Sequence, residues 1–298
     1  MLKLNQEQQG RVAMVAAMLI SGTIGLFVVS SGQSPFNVVF LRCVIGGAGM
    51  LLVCWLKGYL RDLSFSRRQL LFILLGAVCL VFNWVFLFSA YRLTSIGIAT
   101  IIYHLQPFFL LFSGVLFLGD KLKRSNVLWL VLAFAGLLLI VRPNHSGFDQ
   151  QFLWGCLSAI AAALLYAATT LLTKQIANEV RPEVIVSGHL LVGAGLFVFL
   201  ADFSSLPATA GSWTAMLMLG LFHTTLMLML LYTAFKKAST ASLAIFGFLY
   251  PLVALIVDYF AFGHVINLWQ ALGGVLIVAA GLAYNAGLSL SFLDKKAL

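Results

Sequence analysis

Charge is what this sequence has least of. Only 9% of its 298 residues are Asp, Glu, Lys or Arg, against roughly 25% in ordinary soluble domains. A chain so poor in charge cannot cover a water-facing surface. Cysteine is scarce as well. Cys43, Cys54, Cys79 and Cys156 have no CxxC spacing and no clustered histidines, which excludes a metal site or disulfide framework and leaves them packing roles. Motifs of intramembrane and nucleotide-driven enzymes are missing: there is no HExxH, no GxSxG and no P-loop, and Asp258 lacks the partner aspartate that a GxGD-type protease requires. No ring of like charges or repeated filter loop suggests a channel. No cofactor is expected, and the chain is not expected to be an enzyme.

What remains is apolar. Hydrophobic residues make up 62% of the chain, the mean hydropathy is +1.04, and the fold class that follows is an all-α membrane protein. About 20 apolar residues cross a bilayer. Breaking the sequence at charged or Pro/Gly-containing gaps predicts ten transmembrane helices, at 11–31, 36–57, 69–91, 96–119, 126–142, 152–173, 184–201, 213–235, 240–263 and 268–289. The first reads as an uncleaved anchor. The formal net charge of +9 is spread by loop instead of gathered in one stripe, so the partner is the lipid bilayer and not nucleic acid. With the N-terminus inside, every Lys and Arg except Arg42, Arg92 and Arg142 falls in a cytoplasmic segment. That bias predicts both termini cytoplasmic and external loops at 32–35, 92–95, 143–151, 202–212 and 264–267.

Sliding the sequence by 144 residues, the separation of Pro107 and Pro251, superposes Ala90 on Ala234, Ser95 on Ser239, Ile101 on Ile245, Leu105 on Leu249 and Gly119 on Gly263. Two five-span halves follow, 1–143 and 144–298. Because five is odd, the second half enters the membrane inverted, an arrangement that places a transport site at the midplane between repeats.

The run FSAYRLTSIGIATIIYHLQPFFLLFSGVLFLGDKLKRSNVLWLVLAFAGLLLIV resembles the EamA domain of the drug/metabolite transporter superfamily, and LYTAFKKASTASLAIFGFLYPLVALIVDYFAFGHVINLWQALGGVLIVAAGLAY resembles a second copy. Together they cover nearly the whole chain. The resemblance implies ten helices in two inverted five-helix repeats and a multi-pass protein of the bacterial inner membrane. It implies a secondary transporter, an exporter or exchanger of small metabolites such as amino acids or related amines. The alternatives are proton-coupled efflux of drugs or organic cations and, less favoured, an intramembrane enzyme. Arg42 matches an arginine that the family commonly places in its second helix. The chain departs from the family at Gly119-Asp120 and Gly263-His264, where Gly-Glu is usual, and at Ser21-Gly22, where Trp-Gly is common.

Polar side chains inside spans mark the candidate site, because in hydrocarbon they must face protein or a water-filled cavity. At about 100° per residue, Thr100, Tyr103, His104 and Pro107 share one stripe of the fourth span. Gln106 lies at the stripe's edge, facing a different space from His104. Pro107 leaves a carbonyl open to a ligand or water; the alternative is a simple kink. The equivalent stripe of the ninth span, Ala244, Gly247, Phe248 and Pro251, is nearly apolar, with Asp258 on the Pro251 face as a gate, a cation contact or merely a hydrated acid. On the sixth span Tyr166, Thr169, Thr170 and Thr173 share a face, and Tyr166 and Thr170 are assigned to the cavity. Asn83, Trp84 and His223 complete the expected substrate contacts. Arg42 has two open readings, snorkelling to the outer surface or an ion pair or substrate contact, and is grouped with Asp258 under gating or coupling. Carriers for a coupling proton would be Asp258, His104, His189 or His223, but facilitation or exchange is the preferred reading. Substrate identity and oligomeric state stay open.

Overall fold

A computed structural model gives the structure of the protein and describes residues 5–61, 63–94, 99, 102–119, 123–141, 150–262, 266–286 and 288. Every α-helix among the described residues is apolar in its middle. In chain order they are α1 (Gln6–Ser21), α2 (Ile24–Ser31), α3 (Pro35–Leu56), α4 (Arg67–Leu93), α5 (Gln106–Leu118), α6 (Arg124–Val141), α7 (Gln150–Ile176), α8 (Pro182–Phe197) and α9 (Ala210–Leu217). A π-helical segment (Met218–Leu226) joins α9 to α10 (Met227–Lys237), and α11 (Thr240–Phe246), α12 (Leu249–Phe262) and α13 (Leu268–Asn285) complete the order. Seven helical stretches are long and apolar enough to cross a membrane: Gln6–Val28, Pro35–Leu56, Arg67–Ala90, Gln150–Ile176, Ala210–Lys237, Thr240–Val257 and Leu268–Asn285. Three shorter apolar helices, at Gln106–Leu118, Arg124–Ile140 and Pro182–Phe197, fall on the remaining three expected spans. The outer surface is apolar, as a lipid-facing one must be. Phe199 is 87% exposed and Phe260 80%.

The helices begin where the local chemistry allows. Ser34 accepts from the Asn37 N–H with Pro35 in the first turn, and Ser66 with Gln69 and Asn267 with Gln270 form capping boxes. α5 ends on Gly119, whose φ of 69° is left-handed and so suited to glycine. Two expected continuous spans are instead broken. The chain turns at His104–Leu105 before α5 and at Gly247–Phe248 between α11 and α12. Each break precedes a proline by one turn or less, and each is closed by tighter bonds: Leu105 N–H to the Ile102 carbonyl (3.0 Å) in one, Phe248 N–H to the Ile245 carbonyl (3.2 Å) in the other. Proline supplies no N–H to the carbonyl four residues back and clashes with it. The first expected span breaks too, at Gly22–Thr23.

The π-helical segment has a different cause. His223 Nδ1 lies 3.0 Å from the Met218 carbonyl, Thr224 Oγ1 donates to the Leu219 carbonyl (2.7 Å) and Thr225 Oγ1 to the Gly220 carbonyl (3.2 Å). Three consecutive side chains each serve the carbonyl five residues back. They satisfy the backbone that an i→i−5 register loosens.

Helix packing recurs when five spans are counted forward. α4 lies along α7 as α1 lies along α10; α3 meets the π segment as α8 meets α4; α5 packs on α7 as α11 and α12 pack on α1; and the pairs α3–α8, α5–α11 and α6–α13 are each made of corresponding helices. The α6–α13 pair touches backbone to backbone, since a Cβ on Gly136 would come within 2.6 Å of the Gly273 carbonyl oxygen. Such close approach through small residues drives helix association in lipid.

Candidate functional site

A small void lies between α5 and α11, beside the two proline-broken segments. It is lined by Met14 of α1, Gln106, Pro107 and Leu110 of α5, Tyr166 of α7, Phe235 of α10, and Leu243 and Ala244 of α11. Its volume is about 10 Å³, roughly the room one water molecule needs. Among the described residues no lining side chain is charged.

Of the expected site residues, Pro107 and Tyr166 line this void. Tyr103, Asn83 and His104 stand behind them. The Asn83 amide is fully buried, donates from Nδ2 to the Ala162 carbonyl (2.6 Å) and to the Tyr103 hydroxyl (3.3 Å), and leaves its Oδ1 without a partner. The Tyr103 ring meets the Tyr166 ring edge-on at 6.2 Å, and Tyr166 meets Phe235 in the same way at 6.4 Å. His104 is buried and stacks on Tyr250, with ring centroids 5.7 Å apart and planes within 11°. These residues form a continuous aromatic wall that spans both proline-broken helices, and such edge-on and stacked pairs favour a fixed geometry. Pro251 is buried on α12 but does not line the void.

Thr170 stands apart from this wall. Its hydroxyl donates to the Tyr166 carbonyl of its own helix at 3.0 Å, because a threonine one turn along can back-bond as readily as face a cavity. Thr169 likewise donates to the Leu165 carbonyl (2.9 Å). Thr100, Asp120 and the Gly263-His264 pair lie outside the described residues, as does the side chain of Asp258.

Arg42, Trp84 and His223 come together in a second cluster, away from the void lining. Arg42 is 2% exposed. It donates from Nε to Thr224 Oγ1 (3.0 Å) and from Nη2 to the His223 carbonyl (3.3 Å), and its guanidinium carbon lies 4.4 Å from the centre of the Trp84 ring. A planar guanidinium suits both the ring face and the bonds at its edge. His223 Nε2 meets Thr23 Oγ1 at 2.6 Å, directly at the break between α1 and α2. Of the two readings open for Arg42, snorkelling is not what its side chain does: it turns inward to the π-helical segment. No group of three or more His, Cys, Asp or Glu side chains converges as metal ligands would among the described residues.

The sequence reading missed Gln106 as a wall residue, although it is 8% exposed and its Oε1 has no hydrogen-bond partner. It also missed the apolar members, Met14, Leu110, Phe235, Leu243 and Ala244, which carry no signal to separate them from ordinary packing residues.

Comparison with known proteins fits this architecture. A model of the EamA-like transporter family matches residues 8–142 and again 153–285. The chain is 34% identical over 285 residues to an uncharacterized transporter, YxxF, of Bacillus subtilis, covering 93% of this chain and 89% of that one. It is 27% identical to the pseudopaline exporter CntI of Pseudomonas aeruginosa PAO1 (92% and 94% covered). It is 26% identical to a riboflavin transporter of Rhizobium johnstonii over 59% of this chain and 57% of that one. A solved crystal structure superposes with a TM-score of 0.83 at 21% identity, covering 94% of this chain and 99% of the other, which shows a common fold. The two matched stretches each supply four of the eight residues around the void, and the chain belongs to the EamA-like transporter family.

Proposed function

We propose that the protein is a secondary transporter that moves small metabolites by alternating access at the void between its two halves, as an exporter or exchanger. The observation that carries this reading is the composition of the void wall. Met14, Gln106, Pro107 and Leu110 come from one matched stretch and Tyr166, Phe235, Leu243 and Ala244 from the other. A site made half from each repeat changes its exposure when the halves rock against one another. In this reading the seven long and three shorter apolar helices make ten spans with α1 and α13 both starting or ending on the cytoplasmic side, and the second half is inverted. The family resemblance implies amino acids or related amines as substrates, although the described residues around the void offer no charged side chain to pair with them. The exporter and the riboflavin transporter among its relatives support small-metabolite transport as a class.

The test is counterflow in proteoliposomes with a panel of labelled amino acids and amines, with and without an imposed pH gradient. Tyr166→Ala should lower exchange about tenfold or more, while Phe260→Leu, on the lipid-facing surface, should change it little. Facilitation or exchange predicts no uphill accumulation when the pH gradient is imposed. Accumulation driven by that gradient, and lost in Asp258→Asn while downhill exchange survives, would establish proton coupling instead.

A further inference from the structure

One polar group in the void wall has no structural employment. Gln106 is more than nine-tenths buried, lines the void, and leaves its Oε1 unpartnered. Burying an unpaired amide in an apolar interior is costly, so the group would be expected to find a partner in some state of the protein. The helix it begins does not supply one: the cap residue of α5 is Leu105, and no side chain caps that end. The other described residues around the void are apolar or aromatic. A leucine there would fill the same space without the cost.

We infer that Gln106 is the substrate-recognition residue of the void, and that the solute it reads is an uncharged, ring-bearing compound presenting a hydrogen-bond donor beside an acceptor, as an amide, lactam or nucleobase edge does. A primary amide is planar and offers one acceptor and two N–H donors, so its matching partner is another amide-like edge held by two parallel hydrogen bonds. Tyr166 and Phe235 supply ring surface for the apolar part of such a solute. Among the described residues the wall holds no counter-ion, so a charged head placed there would stay unpaired in a low-dielectric setting. A volume near 10 Å³ admits no such compound, so the solute occupies a wider state, reached by movement at the breaks beside Pro107 and Pro251. This inference rests on the transport reading for the site's purpose, and on Gln106 alone for the chemistry recognised.

The test uses three probes with one ring and three heads: benzamide, benzoate and benzamidine. Binding to the purified full-length protein is measured by calorimetry at neutral pH. The wild type should bind benzamide at least about tenfold more tightly than either ion. Gln106→Leu should lose that preference while keeping or raising its thermal midpoint, because the unpaired amide is gone. Gln106→Glu should reverse the preference toward benzamidine, whose amidinium forms a two-pronged pair with a carboxylate; a purely structural residue would not produce that exchange. If Gln106→Glu does not fold, the Gln106→Leu comparison decides. Equal binding of the three probes by the wild type, no binding of benzamide, or an unchanged benzamide preference in the variants would overturn the inference. Benzamide bound but not carried in proteoliposomes would count against the transport reading and leave the recognition by Gln106 standing.

Discussion

At the scale of single residues, the polar groups inside the spans divide by what their neighbours already give them. Among the described residues Arg42 is the largest side chain buried to this degree, and it is held by a ring face and two oxygen acceptors. Lysine could reach the same region but has neither the flat face for Trp84 nor the fork for two separate acceptors. Arg42→Lys should therefore destabilise the protein by about 1–3 kcal/mol, read as a fall in thermal midpoint in detergent, and Trp84→Leu should lower it in the same direction. A wild-type midpoint in Arg42→Lys would show that charge alone matters there. The sequence singled out Arg42, Trp84 and His223 one by one but could not join them, because α3, α4 and the π-helical segment meet only through tertiary packing. Thr170 shows the opposite limit. Its spacing from Tyr166 placed both on one face, and periodicity cannot tell a cavity-facing hydroxyl from one bonded to its own helix.

At the scale of the element, the two prolines that revealed the repeat also set the breaks that shape the site. Pro107→Ala restores an N–H for the Tyr103 carbonyl and removes the clash that keeps the helix broken. The variant should be more stable by roughly 0.5–1.5 kcal/mol, the worth of one hydrogen bond, and slower in exchange, because α5 would run straight through the turn at His104–Leu105. Pro251→Ala should act likewise through Gly247. Measured stability and exchange rates that fall together in both variants would mean that the breaks serve packing alone. The same breaks explain why the helical count could not place Gln106 in the void wall. Counting 100° per residue carries a phase from Tyr103 onward, and a turn at His104–Leu105 resets it. Most of the helices were legible from hydropathy, since twenty-odd apolar residues between charged gaps allow little else. The π-helical segment was not legible, because its register depends on three side chains bonding carbonyls five residues back, a pattern for which His-Thr-Thr is only a weak cue.

At the scale of the whole molecule, side-chain ties join the two matched stretches at opposite ends of the spans. At one end Glu7 accepts from the hydroxyls of Ser242 (2.6 Å) and Ser239 (3.1 Å), from the Ser239 N–H (2.9 Å) and from Arg11 Nε (3.2 Å), while Arg11 reaches the Asn285 side chain (3.0 Å). This joins α1 of the first matched stretch to α11 and α13 of the second, and Ser242 directly precedes two void-lining residues. At the other end Asn37 of α3 donates to the Asp202 carbonyl (3.0 Å) and accepts from the Asp202 N–H (2.8 Å). The hydroxyls of Ser204 and Ser205 and the Ser204 N–H hold the Asp202 carboxyl below the usual carboxylate range. A depressed carboxyl contributes stability that is complete above its unfolded pKa and is lost as pH falls through its lower folded value. Amide protection at 202–206, corrected for the intrinsic exchange rate, should accordingly fall on acidification below the usual carboxylate range, and Asp202→Asn should abolish that pH dependence. The Glu7 cluster bears on transport more directly. Breaking it with Glu7→Ala leaves two serine hydroxyls and Arg11 without their shared acceptor, and the α1–α11 contact should loosen. In a cysteine-free background carrying Leu243→Cys, a membrane-impermeant maleimide added from the side on which Glu7 lies should then react about tenfold faster. An unchanged rate would show that the cluster is a static cap and that the void opens elsewhere. A faster rate accompanied by slower exchange would show that the first tie must close before the second can open, as alternating access at a shared site requires.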